Sequence, residues 1–158
     1  EVEGVDVHNY AIALLAVGKA ISEKDSFVSA QFSIAYVVAA CLLDRELGPK
    51  QLTEGRVADP LLLALSRKVR VHCDDDLNRV YPERTSSRVE ITLKGGKRLV
   101  RQVDIPKGDP RDPMTFDDLA AKLKHFAGSR DRGRLGEAIH RIMELDTLKD
   151  IKKFTEIV

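Results

Sequence analysis

Val2, Val5 and Val7 stand among charged residues in an extended pattern that predicts an opening strand. The apolar run from Ala11 to Val17 follows, and its periodicity fits either helix or strand. Ser22 to Ser29 is polar and ends on Ser29, a candidate N-cap for a helix over Ala30 to Asp44. Phe32, Tyr36, Ala39 and Leu43 recur along that helix at helical spacing, while Ile34, Val37, Val38, Cys41 and Leu42 make its other faces apolar too. A helix that is apolar all round is buried on more than one side. A second helix is predicted at Asp59 to Ser66, where Asp59 caps, Pro60 opens the first turn and Leu61, Leu62, Leu63 and Leu65 supply apolar bulk.

Strand character then takes over. Val69, Val71 and Cys73 alternate with Arg70, His72 and Asp74, as on a strand with one covered face and one wet face. The alternation returns in Val89, Ile91 and Leu93 against Arg88, Glu90, Thr92 and Lys94, and Gly95 and Gly96 turn the chain into Lys97 to Ile105, a hairpin. A two-residue loop would set Leu93 opposite Arg98. A three-residue loop that sets Leu93 opposite Leu99 and Val89 opposite Val103 keeps apolar partners on one face and is the expected register. Pro106, Gly108, Pro110 and Pro113 dictate a loop. Thr115 caps a helix to about Phe126 with Leu119, Leu123 and Phe126 on one stripe, and Gly128 to Gly133 is a basic loop. Two amphipathic helices close the chain: one carries Leu135, Ala138, Ile139, Ile142 and Met143, and the other, capped by Asp146, carries Leu148, Ile151 and Phe154. The predicted order is β-α-α-β-β-β-α-α-α, an α+β fold in which an antiparallel sheet of about four strands is covered by helices on one face.

A chain of 158 residues has the size of one domain, and residues 1–158 are expected to form one. The formal charge of +1 removes the electrostatic reason to expect nucleic acid or an anionic membrane as a partner. With 43% hydrophobic and 32% charged residues the composition is that of a globular domain, and no apolar run reaches the ~18 residues of a spanning helix. Cys41 and Cys73 lie far apart with no CxxC spacing, so a reducing, cytoplasmic setting is expected. The chain opens on Glu1 rather than Met, as a trimmed chain or a piece of a longer protein would.

Few residues carry chemistry by pattern alone. His8, His72, His125 and His140 have no metal-ligand spacing, and no bound metal is expected. Asp74, Asp75 and Asp76 lack the glycine turn and distal Glu of an oxygen site, so they read as a solvated strand end. Gly95 and Gly96 belong to the hairpin rather than to a phosphate loop. Arg130, Arg132 and Arg134 form either a solvated loop or a fork for a carboxylate or phosphate. Ser33 and Tyr36, three residues apart, share a helix face that Ala40 continues, where small residues leave room for a ligand or another domain. A buried phenol normally bonds to a backbone group, so a structural Tyr36 is the competing reading.

The segment from Ala30 to Ala39, AQFSIAYVVA, followed by Leu42, Leu43 and Asp44, resembles the start of the C-terminal domain in the MmgE/PrpD family. Further stretches are similar in order and spacing: Asp59-Pro60 through Leu65 to Lys68-Val69, the Ile91 to Gly96 strand and turn, and Pro106 to Pro110 with Pro113 before an acidic helix ending near Lys122. The closing helices around Arg141 to Leu148 are similar too, and the common order of these stretches carries the resemblance. Gln31 stands where the family commonly has a basic residue, Ala35 where it often has Pro, and Arg45 where Gly often follows the helix.

The resemblance implies a smaller α+β lid that closes over an active site built mainly on a larger, N-terminal helical domain absent from this chain. Family members include 2-methylcitrate dehydratase, cis-aconitate decarboxylase and iminodisuccinate epimerase. These remove a proton or carboxylate beside a carboxylate by general acid/base groups and cationic stabilisers, with no cofactor. The expected function is therefore that of a lid in a lyase or isomerase acting on small di- or tricarboxylates. By the resemblance Tyr36 is the catalytic residue and Ser33 a substrate contact. The expected partners are the small carboxylate substrate and the N-terminal helical domain, with a homodimer left open. The isolated chain is expected to show no turnover. A freestanding interaction or anion-binding domain of the same fold is the alternative.

Overall fold

The computed structural model describes residues 1–128 and 132–156, which divide into two compact units, Glu1–Asp112 and Pro113–Val158. The first unit runs β1 (Val2–Asn9), α1 (Ala11–Val17), α2 (Phe27–Gln31), α3 (Ile34–Asp44), α4 (Glu54–Val57), α5 (Pro60–Ser66), β2 (Val69–Cys73), α6 (Asp75–Arg79), β3 (Ser87–Leu93) and β4 (Arg98–Val103). Its four strands form one sheet in the order β2-β1-β3-β4. The α+β class and the four-stranded sheet are as expected. The sheet is mixed rather than antiparallel, because β1 pairs with β2 in parallel and with β3 in antiparallel sense. The reason lies in the connection: α1 to α5 carry the chain back before β2, and a parallel neighbour needs such a crossover.

Helix α3 explains why its sequence is apolar on every side. Ile34, Ala35, Val38 and Leu42 face the sheet and pack with Val5, Val7 and Val69. Tyr36, Ala39 and Ala40 face the other way and join Ile21, Ala30, Val57, Leu62 and Leu63 from the flanking segments in a second cluster. The small side chains at Ala39 and Ala40 give the neighbouring helices close access to this face. Arg45 ends α3 in the left-handed conformation, φ 59°, with its N–H on the Cys41 carbonyl.

Two local expectations are corrected. The helix predicted over Ala30 to Asp44 is broken in two. Ser26 caps α2, and Ser33, in extended conformation, stops it and caps α3 by accepting from the Tyr36 N–H. A serine at a cap satisfies an N–H that a continuous helix would leave to its own ladder, so two capping serines seven residues apart favour two helices. The β3–β4 register also differs: Ile91 pairs with Leu99, Val89 with Arg101 and Ser87 with Val103. Leu93 donates to the Lys97 carbonyl and Gly96 to the Leu93 carbonyl, closing a three-residue loop at Lys94–Gly96. Gly95 and Gly96 take φ of 95° and 83°, which side-chain-bearing residues resist. Turn geometry has prevailed over matching apolar partners across the strands.

The second unit comprises α7 (Phe116–Ala127), α8 (Arg132–Met143), a short 3-10 turn at Leu145–Thr147 and α9 (Lys152–Thr155). Thr115 and Asp118 form a capping box at α7, as the cap at Thr115 predicted. The final amphipathic helix expected after Asp146 is reduced to that turn and the short α9.

Candidate functional site

Helix α1 stops at Gly18, whose N–H bonds to the Leu14 carbonyl at 3.0 Å. A Cβ at this glycine would lie 2.4 Å from the same carbonyl oxygen, so the tight exit of the chain depends on its absence. The segment that leaves it is organised by local hydrogen bonds. Asp25 Oδ2 accepts from the Ser22 N–H at 2.8 Å and from Ser22 Oγ at 2.7 Å. These bonds hold the Asp25 carboxyl below the usual carboxylate range. Ser26 then starts α2.

Ser33 ties this connection to α3. Its hydroxyl donates to the Lys19 carbonyl at 2.8 Å while accepting from the Tyr36 N–H, and the residue is buried. Between these elements lies an open cleft of about 260 Å³. Its walls include Ala16, Val28 and Phe32, and its polar groups are Lys19, Asp25, Ser29 and Ser33. Apolar walls with a few polar groups fixed by neighbouring structure are what a small-ligand site requires. The ammonium of Lys19 and the hydroxyl of Ser29 are donors suited to a carboxylate oxygen.

Tyr36 does not reach this cleft with its hydroxyl. The side chain is fully buried, and the hydroxyl donates to the backbone carbonyl of Gln51. Burial raises its pKa and keeps it a neutral donor. Gln51 in turn donates to Asp44 Oδ2 at 3.0 Å and accepts from the Gly48 N–H. Arg56 bridges Asp44, at 2.6 Å, and Asp59. Tyr36 is thus the inner end of a polar network that fastens the α3–α4 connection. Its backbone N–H, rather than its phenol, is what meets Ser33.

A second group of ionisable residues lines the other face of the sheet. Asp6 accepts from Arg70 Nε and Nη2, at 2.8 and 2.7 Å, and from His72 at 2.7 Å. The Arg70 hydrogen bonds, reinforced by His72, hold the Asp6 carboxyl well below its usual range. Arg88 bridges Asp74, at 2.6 Å, and Glu90, at 3.2 Å. His8 stacks on His72 with ring centroids 5.1 Å apart. Asp74 also caps α6 by accepting from the Asp76 and Leu77 N–H groups, which gives the acidic triplet a structural role. Each carboxylate of this face has a cationic partner. Among the described residues no group of three His, Cys, Asp or Glu is arranged to hold a metal.

Of the sequence candidates, the cleft therefore brings in Ser33 and leaves Tyr36 behind it. Arg130 lies outside the described residues, as does the side chain of Arg132. Lys19, Asp25 and Ser29 were missed. The signal for them was the serine-rich stretch after Gly18, in which Ser22 and Asp25, and Ser26 and Ser29, sit three apart as local turn and cap pairs do.

A family model described as the MmgE/PrpD C-terminal domain matches residues 1–145. Two curated proteins are similar over 136 residues at 27% identity: the cis-aconitate decarboxylase of Aspergillus terreus and that of Aspergillus terreus strain NIH 2624 / FGSC A1156. The match takes in 84% of this chain and 28% of each of those proteins, so the chain spans less than a third of their length.

Proposed function

Since the chain belongs to the MmgE/PrpD C-terminal domain family, we propose that it is the lid of a lyase or isomerase that acts on small di- or tricarboxylates. The lid closes over a site whose acid/base groups stand on an N-terminal helical domain. The single observation that carries this reading on the lid side is the cleft between α1, α2 and the start of α3, where Lys19, Ser29 and Ser33 meet apolar walls.

In this reading the lid supplies binding and exclusion of water rather than the proton transfers. Lys19 neutralises a substrate carboxylate, and Ser29 donates to it. Ser33 shapes the floor, because its own proton is committed to the Lys19 carbonyl and fixes the Lys19 backbone. Phe32, 58% exposed, stands at the rim as an apolar surface for the helical domain to cover. Covering it strengthens the Lys19 to carboxylate attraction by lowering the local dielectric. Tyr36 supports the site from behind, through the network to Gln51 and Arg56.

The reading is tested in the complete protein by following 2-methylcitrate, cis-aconitate and an iminodisuccinate with proton NMR. Turnover of at least one, with KM raised and kcat little changed by Lys19→Ala, supports it. Absence of turnover for all three removes it.

A further inference from the structure

Asp25, like Lys19, is among the residues that line the cleft, and a site built for polyanions would not carry its negative charge. Lys19 and Asp25 are the two charged residues among those lining it, so its formal charge is zero. Asp25 cannot swing away without losing the two bonds from Ser22, which fix the same oxygen at 2.8 and 2.7 Å. Ser33 adds no donor for a second anionic group, since its proton is held by the Lys19 carbonyl at 2.8 Å. That leaves one ammonium and the Ser29 hydroxyl, which lies 3.3 Å from Ser26 Oγ and can turn toward a ligand.

We infer that Asp25 makes this cleft a one-carboxylate site: it takes a single carboxylate at Lys19 and repels any further carboxylate brought inside, favouring a neutral or cationic group there. The inference rests on the carboxylate-lid reading and refines its substrate class. A di- or tricarboxylate would then place one carboxylate in the lid and its others outside it. A ligand bearing an amino or hydroxyl group near the bound carboxylate would have that group met by Asp25.

The test is calorimetric titration of the full chain with propionate, with citrate and with β-alanine, which add to one carboxylate two further carboxylates or one ammonium. In the unaltered chain citrate should bind within about threefold of propionate, because a neutral cleft gains little from added charge. β-Alanine should bind at least as tightly as propionate. Asp25→Asn keeps an acceptor for Ser22 and should strengthen citrate by roughly tenfold, propionate by less than threefold, and weaken β-alanine. Asp25→Ser serves if the amide lowers the melting temperature. Citrate binding more than tenfold tighter than propionate in the unaltered chain, or equal effects of Asp25→Asn on all three ligands, overturns the inference. Lys19→Ala separates the two levels. If it weakens propionate and citrate while the Asp25 result fails, the charge selection falls alone. If it changes neither, or neither ligand binds, the carboxylate cleft falls and the inference with it.

Discussion

Tyr36 shows how a hydroxyl can be legible from sequence as buried and hydrogen-bonded while the identity of its partner is not. Three-residue spacing from Ser33 and an apolar helix point to a buried phenol with a polar partner, and the partner is the Gln51 carbonyl. Nothing in the spacing reveals that partner, because the α3–α4 connection that brings Gln51 back has no periodicity to read. Removing the hydroxyl strands a buried acceptor, so Tyr36→Phe should cost about 1–3 kcal/mol of unfolding free energy. Thermal melts measure this, and kcat of the complete protein per folded molecule should stay unchanged. A kcat loss of roughly 10²-fold at an unaltered melting temperature would instead give the phenol an acid/base role. Ser33→Ala removes both the cap of α3 and the tie to Lys19, and should lower stability by about 0.5–2 kcal/mol. It should also weaken carboxylate binding, which Tyr36→Phe should not.

At the scale of elements, what could be read was whatever depended on local pattern. The α5 helix, with Asp59 accepting from the Leu61 and Leu62 N–H groups and Pro60 at its start, lies where its cap and apolar run put it. The capping box of α7 and the alternation of β2 and β3 are of the same kind. The break at Ser33, the parallel pairing of β1 with β2 and the hairpin register are set by competition between local signals and by contacts distant in sequence, where a single chain carries no periodic trace. The α1 exit is the element on which the cleft most depends. Gly18→Ala forces a Cβ against the Leu14 carbonyl, and should destabilise by about 1–3 kcal/mol, as overpacking does. Carboxylate binding should fall with it. Gly55→Ala offers the contrast, since a Cβ there meets nothing within 4 Å, and melting of the two variants side by side checks the claim.

Over the whole molecule, the carboxylates set the acid limit. Asp6, Asp25 and Asp74 are held below the ordinary carboxylate range, Asp6 chiefly by Arg70, Asp25 by Ser22 and Asp74 by the Leu77 N–H with Arg88. Asp109 is drawn down to about 2 by Arg111. Each binds its proton more weakly folded than unfolded, so the unfolded chain takes up more protons in acid. Stability is therefore complete above the unfolded carboxyl pKa of about 3.9 and is lost as pH falls through the lower folded values. Melting temperature should be level above pH ~5 and drop below pH ~4, and Asp6→Asn should flatten the drop. A melting temperature that rises on acidification would contradict the charged pairing of the sheet face.

To the whole molecule belongs also the proposed role of the α1–α3 cleft, to hold a substrate carboxylate for the lid. It is tested by kcat/KM of the complete protein for the carboxylate substrate proposed above, unaltered and with Lys19→Ala, with the 158-residue chain alone as control. Loss of a charged hydrogen bond worth about 1.5–3 kcal/mol predicts a fall of roughly ten- to a hundredfold, carried by KM, with no turnover by the chain alone. A kcat/KM unmoved by Lys19→Ala in a folded, active protein would mean that Lys19 holds no substrate carboxylate.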